Sequence, residues 1–187
     1  APWPFRQRVA PAYLRRNVED VLTELPELVE TDEWLDMSDA DRAAYEAAVR
    51  DGNFAAMRRA ALLQGTGSTK VERLVELVEE AEENGRRVVV FSYFRDVLDA
   101  LAHNLPLERV EPVFGPLTGS VAPDARQRMI DEFSAAEEGA VLLAQITTGG
   151  VGVNIQAASV VIICEPQLKP TTESQAIARA HRMGQLR

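Results

Sequence analysis

RRVVVFSYF, residues 86–94, followed directly by RDVLDALAHNL, residues 95–105, sets an apolar run of strand length ahead of a helix. The inward face of that helix is marked by Val97, Leu98, Leu101 and Leu105. The unit is preceded by another helix. From Val71 to about Glu83, Val71, Leu74, Val75, Leu77, Val78 and Ala81 recur at helical spacing between charged residues, and Asn84 with Gly85 supplies the stop. It also repeats downstream. VEPVF (110–114) reads as a strand, PLTGS (116–120) as a turn, and Pro123 opens a helix to about Phe133. AVLLAQI (140–146), a glycine-rich loop, SVVIIC (159–164) and a last helix complete the series. Strands that are apolar almost throughout and alternate with helices imply an α/β fold, with a mostly parallel sheet covered on both faces. Ligands of such sheets bind beyond the carboxyl ends of the strands, where the loops after Phe91, Ile146 and Cys164 fall.

The first 70 residues read differently. VEDVLTELP (18–26) suggests a short helix that stops before Pro26, ELVETDEWLDM (27–37) alternates like a half-buried strand, and Ser38 caps a helix through Val49. GTGSTK (65–70) mimics a phosphate loop, but no strand precedes it and its spacing is wrong. A linker whose Ser68 or Thr69 caps the next helix is the better reading. Asp131 and Glu132 resemble a metal-binding acidic pair but fall within a helix, which makes them a solvated helix end.

At 46% hydrophobic and 26% charged content, the 187 residues suit an ordinary globular protein with one substantial core and an appendage. No window approaches 18 consecutive apolar residues, and the start APWPFRQRV lacks a signal-peptide layout, so cytosol or nucleoid is the expected compartment. Cys164 is the only cysteine, which excludes an internal disulfide, and its place in VVIIC makes it a buried, inert thiol. The net charge of −9 argues against a protein that coats nucleic acid non-specifically. The charge is uneven, however, with +4 over residues 1–16, +2 over 165–187 and −15 between them. Any contact with DNA must then be local, through a few basic groups and backbone amides and not a broad field.

Chemistry concentrates in QAIARAHRMGQ (175–185), which reads as a helix setting Arg179 and Arg182 three residues apart, on one face suited to a phosphate chain. The only lysines, Lys70 and Lys169, cannot complete GxxxxGK[ST], so the chain looks like half of a nucleotide-hydrolysing site. In TTGGVGVN (147–154), Gly149, Gly150 and Gly152 let the backbone pass close to a ligand.

Six segments in order resemble the SWI/SNF-type branch of helicase superfamily two, ATP-dependent translocases on double-stranded DNA. YLRRNVEDVLTELP (13–26) with DMSDADRAAYEAAV (36–49) resembles the segment joining the family's two RecA-like lobes, and STKVERLVELV (68–78) the helix opening the second lobe. RRVVVFSYFRDVLDAL (86–101) resembles motif IV, and PLTGSVAPDARQRMIDEF (116–133) the Gly-Ser turn and helix after it. TTGGVGVNIQAASVVIICEP (147–166) resembles motif V and QAIARAHRMGQ motif VI.

The resemblance implies a three-layer RecA-like α/β/α lobe over residues 70–187, truncated at its C-terminal end, after a mainly helical lobe-linking segment over 1–69. It implies ATP with Mg2+, both held mainly by a first lobe that carries the phosphate loop and acidic residues. Duplex DNA and that first lobe would be the partners, with a protein target on DNA also possible, in a bacterial, nucleoid-associated setting. Arg182 would be the main arginine finger and Arg179 its partner; a guanidinium delivered to the γ-phosphate accelerates hydrolysis by roughly 10³- to 10⁵-fold. Gly150, Gly152, Asn154, Gln175 and Gln185 would serve the nucleotide, with a purely structural role the alternative for the two glutamines. His181 points to another side of the helix and suits packing better than acid-base chemistry. DNA phosphates would be met by Ser92, Arg95, Gly119, Ser120, Arg126, Thr147 and Thr148. Arg15 and Arg16 would pin the two lobes together. By itself the chain should be nearly inert. The alternatives are a lobe uncoupled from nucleotide, serving as scaffold or DNA binder, and a superfamily-two enzyme acting on RNA or separating strands. There are departures from the family: Thr147 replaces a basic residue, Glu165 an aspartate, and QLK after Pro166 a tryptophan and asparagine.

Overall fold

The computed structural model describes residues 28–106, 109–150 and 155–180. Helices α1 (Asp39–Arg50), α2 (Phe54–Arg59) and α3 (Thr69–Glu83) precede the first strand, β1 (Val88–Ser92). The chain continues through α4 (Arg95–Asn104), β2 (Val113–Leu117), α5 (Pro123–Ala135), β3 (Val141–Gln145), a 3-10 turn (Ile146–Gly150), β4 (Val160–Ile163) and α6 (Pro170–Ala180). The sheet runs β2-β3-β1-β4 and every pairing is parallel, with Val88 opposite Val141 on one side and Val160 on the other. The parallel α/β expectation therefore holds.

Alternation along β1 sorts its side chains into two cores. Val88 and Val90 join Val141 and Leu143 against Leu74, Val75 and Val78 of α3 and Val97, Leu98 and Leu101 of α4. Val89 and Phe91 face the other way, with Leu142 and Ala144 against Ile130 and Phe133 of α5 and Ala176 and Ala180 of α6. Helices thus cover both faces of the sheet in three layers. All five residues of β1 are buried, which is why this segment reads as one unbroken apolar run. At the rim of the described sheet, β4 has only half-buried side chains.

Two expectations about local structure need correction. The segment ELVETDEWLDM forms no strand: from Leu28 to Met37 every residue is exposed, Trp34 at 90%. Its alternation finds no sheet face to bury against, and side chains of α3 hold it instead. Arg73 pairs with Glu33 at 3.2 Å, and the Thr69 hydroxyl donates to the Asp36 carbonyl at 2.7 Å. The second correction concerns β2, which begins at Val113 and continues through Pro116 to Leu117, into residues expected to turn. Gly115 makes this possible with φ of +111° and a close approach to β3, and the pairing with β3 is irregular between Phe114 and Leu117. Pro116 lacks an amide hydrogen, which an edge strand tolerates.

The residues before α3 are fastened to the sheet domain by a polar cluster. Ser38 and Asp41 form a reciprocal capping box on α1, and the Asp41 carboxylate also accepts from the Thr69 amide at 3.2 Å. The Ser38 hydroxyl donates to the Gly67 carbonyl at 2.7 Å, while Ser68 caps α3 by accepting from the Lys70 and Val71 amides. GTGSTK is therefore a linker and helix cap. Leu62 anchors the same region in the first core. The helix expected at VEDVLTELP and the arginines Arg15 and Arg16 lie outside the described residues.

Gly115→Ala is expected to destabilise the fold by ~3 kcal/mol or more, since its Cβ would stand 2.4 Å from the Leu143 carbonyl oxygen. Gly52→Ala, at φ +62° with nothing within 4 Å of the added carbon, should cost only about 1 kcal/mol. Urea denaturation of the two variants measures the contrast, and equal costs would mean that β2 and β3 do not approach this closely.

Candidate nucleotide and nucleic-acid interface

Because every strand pair is parallel, the carboxyl ends of β1, β3 and β4 open onto one rim of the sheet, and the polar side chains gather there. On the last turn of α6, Arg179 donates from Nη1 to the Ile146 carbonyl at 3.3 Å. Ile146 starts the 3-10 turn that includes Gly150, so the arginine helix and the glycine-rich segment meet directly. Arg179, Thr148, Gln145 and Leu117 line a small cavity beneath this contact. Gln175, one turn before Arg179, is exposed. Arg182, Gln185, His181, Gly152 and Asn154 lie outside the described residues.

The residues expected to meet DNA divide into two groups. At the start of α4, Arg95 is exposed and reaches the Ser120 hydroxyl at 3.4 Å. Gly119 and Ser120 are exposed beside it, and a Cβ on Gly119 would meet open space. Thr147 also faces outward. The other three turn inward. Ser92 is fully buried, its hydroxyl donating to Glu165 at 3.0 Å and accepting from the Phe94 amide, so it works inside the lobe and not at a surface. Arg126 is 6% exposed and donates to the Val121 carbonyl at 3.0 Å. Thr148 is 7% exposed and lines the small cavity, and its hydroxyl has no hydrogen-bond partner among the described residues. Thr147 is thus exposed while its neighbour Thr148 is buried.

Sequence reasoning treated Glu165 only as a departure from a family pattern and missed its structural weight. Its buried carboxylate accepts from the Tyr93 amide at 2.5 Å, the Ser92 hydroxyl at 3.0 Å and Gln167 Nε2 at 3.2 Å, joining the ends of β1 and β4. Burial pushes its carboxyl above the ordinary value, against the pull of those donors and of the nearby Arg58 guanidinium. The available signal was its position, one acid directly after an apolar strand. Cys164 is buried as expected, and desolvation, with Glu165 next to it, raises its thiol far above the usual range. Asp131 sits on α5 and accepts from Gln127 at 2.8 Å, as a helix-surface residue would.

The model of the helicase conserved C-terminal domain matches residues 69–184. An uncharacterized ATP-dependent helicase of Mycoplasma pneumoniae is 32% identical over 202 residues, spanning 96% of this chain and 19% of the relative. The ATP-dependent helicase fft3 of Schizosaccharomyces pombe is 42% identical over 118 residues, 63% of this chain and 13% of that protein. Among solved structures, the SWI2/SNF2 ATPase core of Sulfolobus solfataricus in complex with dsDNA superposes with a TM-score of 0.69 at 22% identity, covering 98% of this chain and 44% of that one. The C-terminal part of the Fun30 ATPase domain gives 0.59 at 27% identity, over 79% and 47%. The chain therefore belongs to the helicase conserved C-terminal domain family, and its fold is the RecA-like fold of the SWI2/SNF2 ATPase core. It spans about a fifth of the length of the Mycoplasma relatives.

Glu165→Gln tests the buried carboxylate. A folded-state value above the unfolded one means that the native protein holds this proton more tightly. Wild-type stability should then fall relative to the variant as pH rises from the ordinary carboxylate range through the folded value, and the difference should level off above it. Urea midpoints of both proteins across pH 4 to 8 measure this. A difference that stays flat, or that changes in the opposite sense, would show that burial does not dominate at Glu165.

Proposed function

We propose that this chain is the second RecA-like lobe, with its lobe-linking segment over residues 1–69, of an ATP-dependent translocase on duplex DNA. The observation that carries the reading is the bond from Arg179 to the Ile146 carbonyl, which brings the arginine-bearing helix to the sheet rim beside the glycine-rich turn. A first lobe would present ATP to this rim. Arg182 would then stabilise charge on the γ-phosphate as the main finger and Arg179 would assist, while Gly150, Gly152, Asn154, Gln175 and Gln185 line the nucleotide side. The ligands for Mg2+ would come mainly from the first lobe.

Arg95, Gly119, Ser120 and Thr147 supply an exposed polar edge for backbone phosphates, with Arg126, Ser92 and Thr148 shaping it from within. Such contacts track the duplex without reading its sequence. Closing and opening of the two lobes would advance this one along the DNA, in a nucleoid-associated enzyme. Among the described residues no helix is long and apolar enough to cross a membrane.

The chain alone should hydrolyse ATP at background rate and gain DNA-stimulated turnover when the first lobe is supplied. Arg182→Ala in that assembly should lower kcat by on the order of 10³-fold while nucleotide binding persists. Turnover by the isolated chain, or normal turnover in Arg182→Ala, would overturn the shared-site reading. A strand-displacement assay separates this translocase from a strand-separating helicase, and DNA affinity indifferent to nucleotide would mark an uncoupled lobe instead.

A further inference from the structure

The contacts at the sheet rim form a closed circuit, and one member comes from outside residues 69–184. Arg58, on the last turn of α2, donates from Nη2 to the Pro166 carbonyl at 2.5 Å. The next amide, Gln167 N–H, donates to Glu173 Oε1 at 2.6 Å in the first turn of α6, which gathers the β4–α6 loop onto that helix. On the last turn of α6, Arg179 holds the Ile146 carbonyl. Gln145, adjacent in sequence, donates to the Tyr93 carbonyl at 3.1 Å. The circuit returns to its start because the Arg58 guanidinium lies over the rings of Tyr93 at 5.9 Å and Phe94 at 5.2 Å. Arg59 reinforces the same junction through an ion pair with Asp96 at 2.6 Å and a place over Phe94 at 5.2 Å.

We propose that Arg58 is a positioning residue for the arginine helix: by gripping Pro166 and stacking on the Tyr93–Phe94 corner, it ties the linking segment to the orientation of α6. The inference rests on the translocase reading, since it gives the linking segment a means of setting how Arg179 and the residues after it meet the nucleotide. Geometry explains why arginine serves here. A planar, delocalised guanidinium can donate in its plane to a carbonyl and still lie near the Tyr93 and Phe94 rings, whereas an ammonium offers point-like donors and no planar face. The circuit also carries movement in a definite direction. The loop between β4 and α6 is held from the α2 side at Pro166 and from the α6 side at Gln167, so a shift of α2 pulls on the amino end of the arginine helix. Coupling of this kind must be measured as an energy and does not follow from proximity alone.

Two measurements on Arg58→Ala and Arg58→Lys decide the matter. In the chain itself, amide exchange over residues 165–174 should rise by about 2- to 30-fold in Arg58→Ala, with strands 88–92 and 141–145 as protected as in wild type. In the assembly with the first lobe, kcat for DNA-stimulated ATP hydrolysis should fall by a similar ~2- to 30-fold factor, with KM for ATP essentially unchanged. Arg58→Lys should recover less than half of either effect. Unchanged exchange over 165–174, exchange that rises equally in the core strands, or a wild-type kcat in Arg58→Ala would each overturn the proposal. If the wild-type assembly hydrolyses no ATP, the translocase reading fails on its own, and the exchange measurement still decides whether Arg58 holds α6.

Discussion

Burial of β1 on both faces, with a parallel partner on each side, is the constraint from which the rest of the lobe follows. A strand in that position must be apolar at every residue, and it can be covered only if helices lie above and below the sheet. Fully burying each valine or leucine contributes roughly 1.5 to 3 kcal/mol, and α3 and α4 collect this on one face while α5 and α6 collect it on the other. The same arrangement brings the carboxyl ends of β1, β3 and β4 to one rim. A site there is assembled from residues far apart in the chain, such as Ser92 with Glu165 and Ile146 with Arg179.

At that rim the apolar interior gives way to polar groups that need partners. Glu165 is the clearest case, because a carboxylate that is 1% exposed would be costly without donors. Its donors are a backbone amide at the end of β1, the hydroxyl of Ser92 and the side chain of Gln167, so satisfying the charge also fixes the two loops relative to each other. Ser92 is consequently occupied inside the lobe. Arg95, the Gly119–Ser120 turn and Thr147 form the exposed part of the edge. This division leaves few basic groups exposed at the rim of a net negative protein.

From residue 28 to 68 the segment before α3 is integrated into the lobe. Asp41 shares one carboxylate between the cap of α1 and the start of α3, Leu62 enters the first core, and Arg58 and Arg59 lie against the corner after β1. The arginines that resemblance singled out in this region, Arg15 and Arg16, lie outside the described residues, while the pair found in contact, Arg58 and Arg59, carried no sequence mark beyond being adjacent. In a short helix with both residues on its last turn, only the position of the partner corner decides that they stack on rings and do not remain solvated.

What the sequence determined by itself was the set of patterns that local physics enforces. Apolar runs became β1, β3 and β4, helical periodicity became α3 and α4, Ser38 and Ser68 became caps, and the ordered motifs gave the family, because each depends on periodicity, capping or motif order within its own segment. Tertiary structure decided which alternating segment would find a sheet, so that ELVETDEWLDM stayed exposed, and how far β2 would run once Gly115 could pass close to Leu143. It also decided the inward turn of Ser92, Arg126 and Thr148, and the partners of Glu165 and Arg58. Those outcomes depend on groups brought together from distant parts of the chain, and a residue's own neighbours in sequence carry no record of what will stand across from it in space.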